Sequence, residues 1–368
     1  MSQDLLYQIA LTRVPNIGPV QAKILLQHFS PADIFKASPS LLEKMEGIGS
    51  IRAGSIRAFR DFKSIENEIR VTEQAGIRTV FITDPGYPKR LLHCYDSPTL
   101  LYQKGSGDLN ASRIVAVIGT RNFTDYGRQA AETLIAELRV PGLMVVSGLA
   151  FGIDAIAHRS ALKNDIPTVA VLAHGLDQVY PPEHASLAKE IMREGGGLLT
   201  EFGIATKPDR HHFPARNRIV AGMSDATIVV ETGEKGGSMI TAELANGYNR
   251  DVFAFPGRAT DPRSRGCNQL IRTNKAMLIN QASELLELLG WEEKPGFLPG
   301  PARQRNLFVE MSPDEKTVFA LLQTKQLIHI DELYLGTGLS NSAVAAALLR
   351  FELEGIVACL PGKMYSLR

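Results

Sequence analysis

Three arginines and a phenylalanine fall within nine residues in the run Arg210-His211-His212-Phe213-Pro214-Ala215-Arg216-Asn217-Arg218, in a chain whose net charge is only +1. Guanidinium groups grip phosphates in fork geometry, and an aromatic face takes an unstacked base. The run therefore suits a local anion site with a stacking surface. It also suits a solvated helix face with a buried Phe, because charge runs commonly just face water.

Three glycine turns add phosphate chemistry. Gly119-Thr120-Arg121 follows the apolar run Ile114–Ile118 and offers an approachable backbone, a hydroxyl and a charge. The three spaced glycines of a dinucleotide fingerprint are absent, which disfavours NAD. Ser147-Gly148-Leu149-Ala150-Phe151-Gly152-Ile153-Asp154 is a second such turn. Asp154 there suits a helix cap as well as catalysis. Asp154 and His158, at i and i+4, resemble an acid/base pair, but with no nucleophile or metal partner in view local hydrogen bonding is the expectation. The third turn runs from Glu231 to Ala242 through Lys235-Gly236-Gly237-Ser238 and Thr241. A Walker loop needs Gly-Lys followed by Ser or Thr, and here Lys235 precedes the glycines, so ATP hydrolysis is not expected. What remains is a backbone nest at a helix N-terminus, suited to a phosphodiester or a phosphate monoester. So many phosphate-binding devices, with Phe213 and Tyr180 for stacking, suit a strand tracked along its backbone better than a small nucleotide.

The elements that must position these turns are short apolar runs at Ile114–Ile118, Leu143–Val146, Thr168–Leu172, Ala226–Val230 and Val252–Phe255. They lack polar alternation and are separated by helical stretches, the pattern of a doubly wound α/β domain with a mostly parallel sheet covered on both faces. Several run into glycines (Gly119, Gly148, Gly175, Gly233, Gly257), and ligands of open parallel sheets bind beyond the carboxyl ends of the strands.

The core is assigned to residues 76–290. Residues 1–75 read as all-helical, with Ile17-Gly18 echoed by Ile48-Gly49. This looks like a helix-hairpin-helix (SAM-like) pair in which glycine permits φ > 0 and amides face a phosphate; an ordinary packing hairpin pair fits equally. Residues 291–305, with Pro295-Gly296 and Pro299-Gly300-Pro301, form a linker. In 306–368 a capped helix at Ser312-Pro313, a second helix after Ser340 or Asn341, and strands flanking Pro361-Gly362-Lys363 suggest a small winged helix. Its 5 basic and 7 acidic residues and its apolar Val344–Leu349 helix favour protein contact over DNA reading.

At 368 residues and 44% hydrophobic the chain supports two or three domains. Cys94, Cys267 and Cys359 form no metal spacing and suit a reducing compartment. The start Met1-Ser2-Gln3-Asp4 has no basic n-region, and no apolar run is long enough to span a bilayer. The expectation is a cytoplasmic protein without membrane contact, metal or cofactor. Global charge says little of partners, but residues 203–275 hold 11 Lys+Arg against 7 Asp+Glu.

The motif order resembles the DprA/Smf family of DNA-processing proteins over essentially the whole chain. The blocks are Gly119-Thr120-Arg121, Ser147 to Asp154, Gly175-Leu176-Asp177 with Tyr180-Pro181, Phe213 to Arg218 with Ile219-Val220-Ala221-Gly222, and Gly236-Gly237-Ser238 with Thr241-Ala242. The resemblance implies an extended Rossmann-like core between a helical domain and a winged helix. It also implies binding of incoming single-stranded DNA during natural transformation, loading of RecA recombinase, and action as a homodimer. It places Arg121, Arg210 and Phe213 in the DNA pocket. Arg210 stands where the family more often has Lys, and Ala173-His174-Gly175 departs from the commoner Gly-Thr-Gly or Gly-Cys-Gly, leaving His174 without a role. A second resemblance, to the lysine-decarboxylase-like nucleoside-monophosphate phosphoribohydrolases, rests on the same glycine turn, lacks their Pro, and would require Arg121 and Glu243 on one ribose.

The residues assigned to DNA contact are Gly119, Thr120 and Arg121; Ser147 and Gly148; Arg210, Phe213, Arg216, Asn217 and Arg218; and Lys235, Gly236, Gly237, Ser238 and Thr241. Arg216 and Arg218 also suit an architectural role. No residue is assigned to catalysis, and the function expected is non-enzymatic.

Overall fold

The computed structural model describes residues 3–292, 311–360 and 362–367, in two compact units, Met1–Asn280 and Gln281–Arg368. Of the expected linker, residues 293–305 lie outside the described residues, as do 306–310 of the expected third segment.

The first unit is built on nine strands: β1 (Arg78–Phe81), β2 (Leu100–Gly105), β3 (Arg113–Ile118), β4 (Leu143–Ser147), β5 (Thr168–Val171), β6 (Gly197–Thr200), β7 (Ala226–Val229), β8 (Asp251–Ala254) and β9 (Met277–Leu278). Their order is β1-β2-β6-β5-β4-β3-β7-β8-β9. All pairings from β6 to β9 are parallel, whereas β2 joins β6 and β1 joins β2 antiparallel. The five apolar runs of the sequence are β3, β4, β5, β7 and β8. The other four carry weaker signals: β6 opens on a glycine, β9 has two residues, and β1 and β2 end the sheet with polar positions.

Period-2 geometry divides the central strands between two covered faces. Ile114, Ala116 and Ile118 of β3 pack with Ile219, Val220 and Ala242 on one side. Ala170 and Leu172 pack with Leu149, Ala155 and Leu187 on the other. Ile9, Ile65 and Ile69 of the N-terminal helices belong to that second core, with Phe81, Leu100 and Tyr102. Arg13 pairs with Glu68, whose Oε1 accepts the Tyr102 hydroxyl at 2.7 Å.

Two helical hairpins precede the sheet. Helix Pro19–Leu26 follows Gly18, and helix Gly49–Ala58 follows Ile48. The left-handed residues are Asn16 (φ 64°) in the first, and Gly47 (φ 77°) and Gly49 (φ 63°) in the second. Gly18, expected to take φ > 0, has φ −91°. Asn16 takes the left-handed position at the site equivalent to Gly47, a conformation asparagine tolerates.

In the second unit, helices Pro313–Leu322, Ile330–Thr337 and Asn341–Leu353 pack on a three-stranded antiparallel sheet of β10 (Ile328–His329), β12 (Met364–Leu367) and β11 (Val357–Leu360). Its core joins Val318, Leu333, Leu348, Phe351 and Val357. This is a winged helix. Helix Ile330–Thr337 and β10 have no clear signature in the residue pattern. Among the described residues no helix is long and apolar enough to cross a membrane, and no group of three or more His, Cys, Asp or Glu could hold a metal.

Candidate nucleic-acid interface

Strand order reverses at β3, with β4 on one side and β7 on the other. Crevices outside the carboxyl ends at such a point are where open α/β sheets take ligands. Here the crevice has a volume of roughly 380 Å³ and gathers Gly119, Thr120, Arg121, Gly148, Phe213, Arg216, Asn217, Lys235, Gly236, Gly237, Ser238 and Thr241. Twelve of the fifteen residues singled out in the sequence thus share one cleft.

Helix His212–Gly222 explains which of its residues take part. Phe213, Arg216, Asn217 and Val220 line the crevice, the i, i+3, i+4, i+7 face of a helix. Arg218 falls off that face, and its guanidinium binds the Asp96 carbonyl and Glu201. Arg210 precedes the helix, is exposed, and donates through Nε to His211 Nε2 at 3.1 Å. Ser147 lies buried at the end of β4, its hydroxyl donating to the Val117 carbonyl at 2.7 Å. Arg210, Arg218 and Ser147 are not among the crevice-lining residues.

The lining sets Arg121, Arg216 and Lys235 against the carboxylate of Asp154. Arg121 lies over the Phe213 ring, 5.6 Å from its centroid. Arg216 is buried, its Nη1 donating to the Val171 carbonyl at 2.6 Å, while Nε meets no acceptor among the described residues. Burial lowers the Arg216 pKa, opposed by Asp154; burial raises that of Asp154, opposed by Arg216. Asp154 Oδ2 accepts the Ala150 amide at 3.3 Å. It sits inside helix Ile153–Lys163, whose N-cap is Gly152, so it does not cap that helix. Nor does it bond His158, which is held between the Gly148 carbonyl (2.6 Å) and Thr168 Oγ1 (2.7 Å).

The glycines divide by what surrounds them. A Cβ on Gly148 would overlap Arg216 Nη1 and Asp154 Oδ2, and one on Gly119 would stand 2.5 Å from Ile153 Cγ1 and 2.9 Å from the Glu231 carbonyl. These two are required by packing. A Cβ on Gly236 or Gly237 would meet nothing nearer than 3.8 Å or 3.7 Å, respectively. Packing does not require this pair, and the first amides of helix Gly237–Gly247 have no acceptor within the helix. The hydroxyls beside them are engaged: Ser238 Oγ lies 2.6 Å from Thr232 Oγ1, and Thr241 donates to the Gly237 carbonyl at 3.0 Å. Asn217 Nδ2 donates to that same carbonyl at 3.2 Å.

A smaller hollow of roughly 140 Å³ adjoins the crevice and shares Arg121, Phe213 and Arg216 with it. Tyr180 faces Phe213 there, ring centroids 6.4 Å apart. His174 fixes its rim. Its Nε2 accepts the Tyr180 amide at 3.2 Å, so Nδ1 carries the proton and donates to the Gly175 carbonyl at 2.9 Å. Burial lowers the His174 pKa and favours this neutral form.

Sequence reasoning assigns no role to Glu231. It is buried, and its carboxylate accepts the Thr124 amide (2.8 Å) and hydroxyl (2.7 Å), while its carbonyl accepts the Thr120 amide (2.7 Å). It thereby fixes the loop that carries Arg121. Glu243, the acid of the phosphoribohydrolase reading, pairs with Lys275 Nζ at 2.7 Å and does not line the crevice.

Comparison with known proteins agrees with this architecture. The family described as DNA recombination-mediator protein A matches residues 78–290, the DprA winged helix domain matches 301–363, and a SAM-like helix-hairpin-helix tandem matches 9–59. Protein Smf of Synechocystis is 33% identical over 98% of both chains. The DNA processing protein DprA of Bacillus subtilis is 36% identical over 69% of this chain and 88% of its own. The X-ray structure of DprA from Streptococcus pneumoniae matches with TM-score 0.66 and 32% identity, covering 76% of this chain and 96% of that one. A structure of Helicobacter pylori DNA processing protein A, described for its single-stranded DNA binding mode, matches with TM-score 0.52 and 33% identity over 57% and 94%.

Proposed function

This chain belongs to the DNA recombination-mediator protein A (DprA/Smf) family, and from that premise we propose that it binds single-stranded DNA without cleaving it and delivers it to a RecA-type recombinase, acting as a homodimer in the cytoplasm. The observation that carries the reading is the convergence of Arg121, Phe213 and the unobstructed Gly236-Gly237 turn on one crevice. Arg121 and Lys235 neutralise phosphates, the amides at Gly236 and Gly237 donate to phosphate oxygens, and Phe213 stacks a base. Arg210 adds charge on the approach to Phe213. Arg216, packed beneath them, contributes fixed positive potential from the floor.

No turnover is expected of this geometry. Base release from a nucleotide would need Arg121 and Glu243 on one ribose, and Glu243 is engaged by Lys275.

The test is affinity of the full chain for single- and double-stranded oligonucleotides at two ionic strengths. Preference for single strands is expected, with little sequence dependence and an affinity that falls with salt by about 0.7 log units per log unit of salt for each phosphate neutralised. Equal affinity for duplex, salt-independent binding, or free base released from a panel of nucleotides would overturn the reading.

A further inference from the structure

A second hollow, roughly 600 Å³, opens at the carboxyl end of β8, with Thr124, Tyr126, Pro256, Gly257, Arg258 and Asp261 among its walls. One loop joins it to the crevice: Thr120 and Arg121 line the first, Thr124 and Tyr126 the second. Thr124 follows Arg121 by three positions, so their Cα atoms are at most ~11 Å apart.

The walls of this hollow are fixed. The Tyr126 hydroxyl donates to the Pro256 carbonyl at 2.6 Å, which holds the half-exposed ring in one orientation. Gly257 is held by Asn268 through two hydrogen bonds, at 3.2 and 3.0 Å. Ser264 Oγ fills the place a Cβ on Gly257 would need. Arg258 lines the hollow, Arg263 and Arg265 flank its lining residue Ser264 in the chain, and all three are exposed. Among the described residues none of the three has an ion pair, whereas Arg90 and Arg218 of the same unit are engaged by carboxylates. Asp261 turns Oδ1 to the Arg263 amide at 2.9 Å, which draws its charge toward the backbone.

A fixed aromatic face sharing a hollow with Arg258, followed along the chain by two more exposed arginines without an ion pair among the described residues, has the composition of a single-strand track. We propose that this hollow is a second nucleotide subsite, through which a strand seated in the Arg121 crevice continues toward β8, with Tyr126 stacking a base and Arg258 and Arg263 contacting phosphates. The proposal rests on the single-strand reading of the crevice.

A length series of oligo-dT separates the two. Arg121→Ala weakens binding at every length if the crevice is the primary site; if it has no effect, that reading fails regardless of the second hollow. The Arg258→Ala/Arg263→Ala double variant should leave the shortest bound oligonucleotides unaffected. On longer ones it should weaken binding and lower the salt slope by about 0.7 for each phosphate that is no longer neutralised. Tyr126→Leu, which keeps apolar bulk without an aromatic face, should show the same length threshold without the slope change. Unchanged thermal unfolding of these surface variants confirms their fold. Weakening that is equal at all lengths, or unaltered binding of long strands, overturns the subsite.

Discussion

The Arg121 guanidinium lies 5.6 Å from the centroid of the Phe213 ring, which joins the turn after β3 to the first turn of helix His212–Gly222. The contact holds a cation and a stacking face together before any ligand arrives. On the proposed function, Arg121→Ala removes a phosphate contact as well as freeing the ring. Affinity for single strands should fall for all sequences alike, with the salt slope reduced by about 0.7. Phe213→Ala should cost about 1–3 kcal/mol of binding while leaving the slope unchanged. Oligonucleotide titrations at several salt concentrations measure both.

Two glycines in the same crevice should respond oppositely to alanine. At Gly148 the added methyl would overlap Arg216 Nη1, which is bonded to the Val171 carbonyl, and Asp154 Oδ2, which accepts the Ala150 amide, so making room disturbs both bonds. Gly148→Ala should destabilise the fold by an amount typical of core overpacking, about 1–3 kcal/mol. At Gly236 the methyl meets nothing within 3.7 Å and the backbone is extended (φ 172°), open to any residue. Gly236→Ala should fold as the parent does and, on the proposed function, bind single strands more weakly, because the methyl would stand where the phosphate is proposed to approach. Denaturant unfolding paired with binding resolves the two.

That contrast marks the limit of what the residue pattern discloses. Gly148 and Gly236 look alike in the sequence, and only their neighbours tell a packing glycine from an open one. The five core strands, the helical hairpins and the wing are legible because hydrophobic period and turn residues are local. β1, β2 and β6 are not, since pairing across the sheet rather than composition defines them. In the arginine run, helical phase separates Arg216 from Arg218. Counting i, i+3, i+4 from Phe213 places Arg216 in the crevice and Arg218 outside it, once the helix start at His212 is known. Glu231 gives no signal, because its partner Thr124 is brought to it by the parallel pairing of β3 with β7.

The buried His158 should make stability pH-dependent. Its ring nitrogens meet Gly148 and Thr168, and burial lowers its pKa from 6.5 to about 4. A depressed folded-state value means the neutral form is favoured on folding, so the contribution is complete above about pH 6.5 and is lost as pH falls toward about 4. By pH 5 the loss from this group is on the order of 2 kcal/mol. Burial lowers the His174 pKa as well and acts in the same sense, whereas Asp154, raised by burial, acts in the opposite sense. The difference in unfolding free energy between parent and His158→Gln isolates the first: it should narrow between pH 7 and pH 5, and a constant difference would show that His158 does not titrate there.

Arg210 and Arg218, eight positions apart in one run, should separate stability from binding. Arg218 bridges Glu201 and the Asp96 carbonyl, and Glu201 is a largely buried carboxylate whose pKa burial raises and Arg218 lowers. Removing the guanidinium leaves that carboxylate and carbonyl without their donor, a loss of about 3 kcal/mol for a largely buried pair. Arg218→Ala should therefore unfold early, while Arg218→Ala/Glu201→Leu recovers part of the loss because no orphan charge remains. Arg218→Lys should recover little, since one ammonium cannot span both acceptors as the fork does. Arg210 is exposed and bonded to its neighbour His211, so Arg210→Ala should leave unfolding within about 0.5 kcal/mol of the parent. If it also left single-strand affinity untouched at low salt, Arg210 would have no part in the DNA path.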